Sequence, residues 1–204
     1  MRFKAKSISK SFNFREVLKD ISFEIENGQS LALTGHNGSG KTTLIRILCF
    51  LLRPDKGTVN FERDGKNVKQ AEIKKHFSLV GPYLQLYDEL TAFENLEFAA
   101  RLKNINNPEN TIYELIDQVG LKGRAHDLTK TYSSGMKQRL KYAFAMLPEP
   151  DILFLDEPTS NLDREGIEIV YQIMEKQKKD KILIFATNDE IDLKLADRII
   201  KVDA

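Results

Sequence analysis

Three short runs along the chain are apolar almost without interruption: Ser30–Thr34, Ile152–Leu155 and Ile182–Ala186. A strand covered on both faces needs continuous rather than alternating apolarity, so each run predicts a buried strand of a parallel sheet. Each run ends in a polar or glycine-rich turn: Gly35 onward, Asp156-Glu157, and Thr187-Asn188-Asp189. Ligands of open α/β sheets bind outside the carboxyl ends of the strands, so the three turns are expected at one edge. Residues Phe3–Phe14 and Ile21–Ile25 alternate ahead of Asn27-Gly28, which predicts antiparallel strands at the N-terminal side. From about Leu90 to Leu147 the period becomes helical, as in Phe93, Leu96, Glu97 and Ala100, and again in Ile112, Leu115, Ile116 and Val119. Pro108, Gly120–Gly123 and Pro148-Glu149-Pro150 punctuate this segment. The expectation is a single α/β domain over 1–204, with a core of about 1–85 and 147–204 and an inserted α-helical subdomain of about 86–146.

Composition adds exclusions. With 41% hydrophobic and 30% charged residues, the chain has the mix of a soluble globular domain. Lys and Arg total 31 against 30 Asp and Glu, a net charge of +1, which does not suggest a nucleic-acid partner. The basic block Glu175–Lys181 reads as a solvated helix end and loop. The single cysteine, Cys49, rules out an intrachain disulfide and reads as a buried structural thiol in a reducing compartment. The N-terminus has no apolar signal core. The longest apolar stretch, Leu44–Leu52, is short and contains Arg46, so it cannot span a bilayer. Any membrane role would pass through a partner.

Gly35-His36-Asn37-Gly38-Ser39-Gly40-Lys41-Thr42, followed by Thr43, matches the phosphate-binding loop in full, between a predicted strand and a predicted helix. Glycines allow backbone N–H groups to approach phosphate oxygens, and the helix that follows presents free amides and a positive dipole end. Lys41 supplies a charge for the β- and γ-phosphates of ATP, and the Thr42 hydroxyl is suited to Mg2+. His36 holds a variable loop position and is given no chemistry of its own. His76 and His126 read as ordinary surface or core residues. The strand Ile152–Leu155 runs into Asp156, placed to hold the Mg2+ water shell, and Glu157, placed to polarise an attacking water.

Two further segments carry a family resemblance. Tyr132-Ser133-Ser134-Gly135-Met136 resembles, in variant form, the Leu-Ser-Gly-Gly-Gln signature of the ATP-binding-cassette (ABC) ATPases. Asp156-Glu157-Pro158-Thr159-Ser160-Asn161-Leu162-Asp163 looks like that family's acidic strand and the loop after it. Order and spacing agree over essentially the whole chain. The resemblance implies a P-loop NTPase core with a mostly parallel sheet and a head-to-tail dimer that sandwiches two ATP molecules. In that dimer Ser133, Ser134 and Gly135 face the nucleotide of the opposite subunit, and Asp163 couples the two sites. Phe12 resembles the aromatic that stacks on adenine, with Phe14 as its competitor and a core phenylalanine as the plain alternative.

The chain departs from the family twice. Where a glutamine is usual, the ungapped reading places Tyr83, with Gln85 two residues on as a candidate metal ligand. Where a histidine contacts the γ-phosphate, the chain has Asn188, which can donate a hydrogen bond but carries no proton at neutral pH. The implied function is an ATP hydrolase using Glu157, Lys41 and Asn188. It would power integral membrane permease subunits from the cytoplasmic face, paired with a second copy or a homologous ATPase subunit. The signature form, the small size and Leu86–Thr91 look most like exporter ATPases, and within them the haem-export, cytochrome c maturation type. The compact length leaves no room for a regulatory domain after Val202. Two rivals remain: a soluble non-transport ABC protein, and an ATP-gated clamp with little hydrolysis.

Overall fold

The computed structural model describes residues 1–203, with Gln70 and Ala71 described by their backbone alone. The first half contains β1 (Arg2–Phe12), β2 (Arg15–Glu26), β3 (Gln29–Thr34), α1 (Lys41–Leu48), β4 (Lys56–Arg63), β5 (Lys66–Asn67), α2 (Gln70–Ile73) and β6 (Phe77–Val80). The second half contains α3 (Ala92–Lys103), α4 (Glu109–Gln118), α5 (Ser134–Met146), β7 (Ile152–Asp156), α6 (Arg164–Asp180), β8 (Ile182–Ala186), α7 (Glu190–Leu193) and β9 (Arg198–Lys201). One sheet is antiparallel, in the order β2-β1-β4-β5. The other has the order β6-β7-β8-β3-β9, and all its pairings are parallel.

All three apolar runs are strands of the parallel sheet, and β7 and β8 are buried throughout. Successive residues of a strand face opposite sides, and here each side has its own core. Ile152 and Phe154, Ile182 and Ile184, and Leu31 and Leu33 join Phe3, Phe61 and the apolar residues of α1. Leu153 and Leu155, Leu183 and Phe185, and Ala32 join residues of α3, α4, α5 and α6. The parallel sheet is therefore a partition, with the antiparallel sheet and α1 on one side and the helical segment on the other.

Two strands of the parallel sheet carry little signal in the sequence. β6 is four residues long and includes Ser78, and β9 is an edge strand whose Arg198 and Lys201 are exposed. Charged residues are how edges resist unwanted pairing, and they dilute the apolar pattern. The first strand also ends earlier than its alternation suggests. Phe12 pairs with Arg15, leaving Asn13-Phe14 as a two-residue turn with φ of 48° and 63°. Tight hairpins need both positive φ values to follow the strand twist, so Phe14 belongs to the turn and stands fully in solvent.

Other readings are refined. Cys49 is completely buried, and burial pushes its thiol well up. His76 bonds Asp151 through Nδ1 at 2.7 Å, and His126 meets the Tyr113 hydroxyl at 3.2 Å. The block Glu175–Lys181 is not simply solvated. Gln177 is buried and donates to the carbonyls of Pro150 and Ile182, and Lys181 Nζ donates to Glu149 O at 2.9 Å. These bonds satisfy carbonyls of the turn before β7 and of the first residue of β8, which is why polar side chains stand at the end of α6.

Candidate functional site

The turns after β3, β7 and β8 meet at one edge of the parallel sheet. Glu157 N–H donates to Ala186 O at 2.9 Å and Thr187 N–H to Leu33 O at 3.0 Å, so backbone bonds tie the three together. The phosphate loop turns through Gly35, Gly38 and Gly40, with φ of 149°, 86° and 104°. Glycine is required at Gly35 and Gly40 by contact as well as conformation. A Cβ on Gly35 would lie 2.3 Å from Val202 O, and one on Gly40 would lie 2.9 Å from Val17 and Leu18. Ser39 is buried and its Oγ has no partner among the described residues. Lys41 is 6% exposed and donates through Nζ to Gly35 O at 2.8 Å, with Glu157 Oε1 at 3.9 Å.

A cleft of about 280 Å³ opens over this loop, lined by Asn37, Gly38, Gly40, Lys41, Thr42 and Thr43 together with Glu157. Phe12 forms its outer wall, 44% exposed, with the Lys10 ammonium 5.4 Å from the ring centroid. Phe14 does not line the cleft. Val17 does; nothing in its sequence context marks it, because its part is to fill the space where a side chain on Gly40 would stand.

The acidic pair divides by environment. Asp156 is 3% exposed, and burial raises its carboxyl above the ordinary value against the pull of the Thr42 and Tyr83 hydroxyls and of Lys41. Its Oδ1 is buried with no partner among the described residues. Such an orphaned carboxylate oxygen beside a threonine hydroxyl suits a hard, oxygen-seeking divalent cation, so the residues present fit Mg2+. Glu157 keeps 43% of its side chain exposed. Its carboxyl is raised by partial burial, with Lys41 pulling it down and Asp156 and Asp192 pushing it up. Its φ of 55° is unusual for a residue with a side chain and is the kind of strain that gathers at functional sites.

The two departures are also located. The Tyr83 hydroxyl lies 3.4 Å from Asp156 Oδ2, and burial beside that carboxylate pushes the phenol up, so it remains protonated. Gln85, expected as a candidate metal ligand, is not brought to Asp156. The chain turns after Gly81, and Gln85 lines a separate polar groove of about 480 Å³ with Ser134, Gln138 and Asn161. Asn188 donates through Nδ2 to Asn37 Oδ1 at 2.6 Å, across the mouth of the phosphate loop.

Ser133, Ser134 and Gly135 sit at the start of α5, where Ser133 Oγ caps the helix by accepting from Met136 N–H at 3.2 Å. A Cβ on Gly135 would lie 3.5 Å from Asn161 O, so this turn abuts the loop that follows the acidic strand. Asp163 caps α6, accepting from Gly166 N–H at 2.9 Å. Within one chain, none of these four lines the cleft over the phosphate loop.

The family model described as "ABC transporter" matches residues 18–160. The chain is an ATP-binding-cassette ATPase. The ATPase is 36% identical over 177 residues to the ABC transporter ATP-binding protein YhcH of Bacillus subtilis (strain 168), covering 86% of this chain and 57% of that one. It is 34% identical over 204 residues to the lipoprotein-releasing system ATP-binding protein LolD of Bacteroides fragilis (strain YCH46), covering 95% and 94%. Among solved structures, the ATPase resembles the dimeric ATP-binding cassette MJ0796 in a post-hydrolysis state with ADP and Pi. The TM-score is 0.87 at 25% identity, over 98% of this chain and 94% of that one. ATP binding and hydrolysis are thus the chemistry of this fold, and the ATPase is an ATP hydrolase. No helix among the described residues is long and apolar enough to cross a membrane.

Proposed function

We propose that the chain is the motor subunit of an export-type ABC transporter, and that Lys41, Asp156 and Glu157 carry its chemistry. The observation behind this is their convergence on one cleft, with Asp156 Oδ1 bare and Lys41 Nζ 3.9 Å from Glu157. Lys41 and the amides of Gly38–Thr43 hold the phosphates and stabilise charge on the transferring group. Thr42 and Asp156 would hold Mg2+, which would supply Lewis-acid neutralisation of the phosphate charge. Glu157 orients the attacking water and accepts its proton. Asn188 answers to the γ-phosphate, exchanging its bond with Asn37 for one to phosphate. Phe12 stacks on the adenine.

The site is completed by a second subunit. Ser133, Ser134 and Gly135 open a helix whose free amides suit an anion, yet within the chain they stand away from the phosphate loop. A head-to-tail pairing would bring them to the partner's γ-phosphate, with Asp163 at the junction. On this reading 86–146 is the arm that carries the signature turn.

For the membrane partner, an apolar cleft of about 270 Å³ between β6, α3 and α5 is the best-suited surface. Leu51, Leu79, Leu102, Phe144 and Pro148 line it, with Lys74 and Lys103 among its polar residues. Leu51 and Leu102 are 52% and 66% exposed there. The permease would hold the ATPase to the cytoplasmic face. Haem export is the narrower proposal for the cargo and rests on the form of Tyr132–Met136 and of Leu86–Thr91 in a small chain; the lipoprotein-releasing name of one relative supports outward movement only in general. Isolation from native membranes with the attached permease, then ATP-driven cargo movement in vesicles, tests both levels. A permease that moves a different cargo would remove the haem proposal and keep the motor.

Tyr83 and Asn188 favour a second reading, a clamp that closes on ATP with little turnover. Phosphate release by the wild-type protein in Mg2+ separates the two.

A further inference from the structure

A buried carboxylate lies behind the site, where its charge helps to raise the Glu157 carboxyl, and the chemistry described above gives it no further part. Asp192, on α7, is completely buried. Three side-chain hydroxyls donate to it: Thr187 at 2.7 Å and Thr159 at 3.2 Å, both to Oδ2, and Tyr171 at 2.8 Å to Oδ1. A carboxylate out of water needs such partners. The partners' places in the chain are the informative part. Thr159 lies two residues after Glu157, in the turn following β7. Thr187 immediately precedes Asn188, in the turn following β8. One oxygen atom therefore holds both turns.

The backbone adds to the same link. Glu157 N–H bonds to Ala186 O at 2.9 Å, and Thr187 Oγ1 accepts from Asp189 N–H at 3.0 Å. Glu157 is held in the left-handed region, φ 55°, where a residue with a side chain stays only if its surroundings fix it. The Thr159–Asp192–Thr187 bridge lies on the protein side of that turn.

We propose that Asp192 is a positioning residue that fixes Glu157 and Asn188 relative to each other by clamping Thr159 and Thr187 onto one carboxylate oxygen. Asp192 is completely buried and does not line the cleft over the phosphate loop. It makes the water-orienting carboxylate and the γ-phosphate contact move as one unit, so hydrolysis depends on it while nucleotide binding through Lys41 and Phe12 does not. The inference rests on the roles given above to Glu157 and Asn188.

The test uses Thr159→Val and Thr187→Val, which keep side-chain shape and cut one arm each, in the full chain with Mg2+-ATP. Each single variant should lower kcat roughly tenfold, inside the hundredfold that about an ångström of misplacement can cost, with KM for ATP within twofold. Thr159→Ser, which restores the hydroxyl, should recover turnover. Both substitutions cut the same link, so the double variant should be about as slow as the slower single one. Losses that multiply in the double variant would mean two independent contacts and overturn the proposal, as would unchanged kcat in both singles. Binding of a fluorescent ADP analogue checks that each variant is folded. Glu157→Gln, run alongside, separates the two levels. If it retains turnover, the assigned role of Glu157 fails; if it is inactive while the threonine variants behave as wild type, only the clamp fails.

Discussion

The Asn188 side-chain amide donates to Asn37 Oδ1 across 2.6 Å, joining the turn after β8 to the phosphate loop. An amide in this place keeps the ability to donate and loses the proton exchange that an imidazole offers. A hydrogen bond to a charged oxygen contributes about 1.5–3 kcal/mol, so Asn188→Ala should lower turnover by roughly tenfold or more. Asn188→Ala with ATP affinity and kcat both unchanged would remove the sensing role.

Glu157→Gln keeps the size of the side chain and loses its basicity. Turnover should fall by about a hundredfold or more, the usual contribution of a general base, while ATP still binds. Size-exclusion in ATP should then show a dimer that persists because the nucleotide is not consumed. A monomer under those conditions would argue against the composite site.

Burial raises the Asp156 carboxyl above its ordinary 3.8. The folded protein then holds that proton more tightly than the unfolded chain, so stability falls as pH rises from 3.8 through the raised value, and the full penalty is present above it. Asp156→Asn should therefore raise Tm of the nucleotide-free protein at pH 7, and the gain should shrink in acid. At this chain length 1 kcal/mol corresponds to about 2–4 °C. The same variant should lose the Mg2+-dependent part of ATP affinity. A lower Tm at pH 7 would mean that the ionised carboxylate stabilises the fold.

Phe12→Ala should weaken ATP binding by roughly tenfold, since stacking on a base is worth about 1–3 kcal/mol. Phe14→Ala, at the solvent tip of the hairpin, should leave it unchanged. Titration with a fluorescent ATP analogue distinguishes the two, and equal losses would place both rings on the base.

Gly40→Ala would put a methyl group against Val17 and Leu18 at φ 104°. Conformation alone costs about 1–2 kcal/mol, and the loop would have to shift to relieve the contact. Nucleotide binding should be lost while the far-UV spectrum is kept. Retained affinity would show that the loop can move away from Val17.

The chemistry was legible in the sequence where one short segment holds all the parts. The phosphate loop needs its residues contiguous, and β7 carries its carboxylates at its own end, so both could be read without the fold. β6 and β9 were not legible, because a four-residue strand and a charged edge hardly alter the apolar pattern. The ungapped spacing placed Tyr83 at the usual glutamine position, and it is Tyr83 that reaches Asp156; whether Gln85 two residues on could also reach it was decided only by the turn after Gly81. Asp192 gave no signal either. Its partners Thr159, Tyr171 and Thr187 lie on three elements, and only the fold assembles them.

The two-sided packing of β7 has a consequence for how this sequence can change over generations. Ile152 and Phe154 serve the side of α1, and Leu153 and Leu155 serve the side of α5. Losing one residue within this strand would exchange the two sets and misfit both cores at once. Insertions in the solvent-exposed hairpin at Asn13-Phe14 disturb neither. Length variation among descendants of this chain should gather at such turns, while β7 tolerates substitution but not a change in its number of residues.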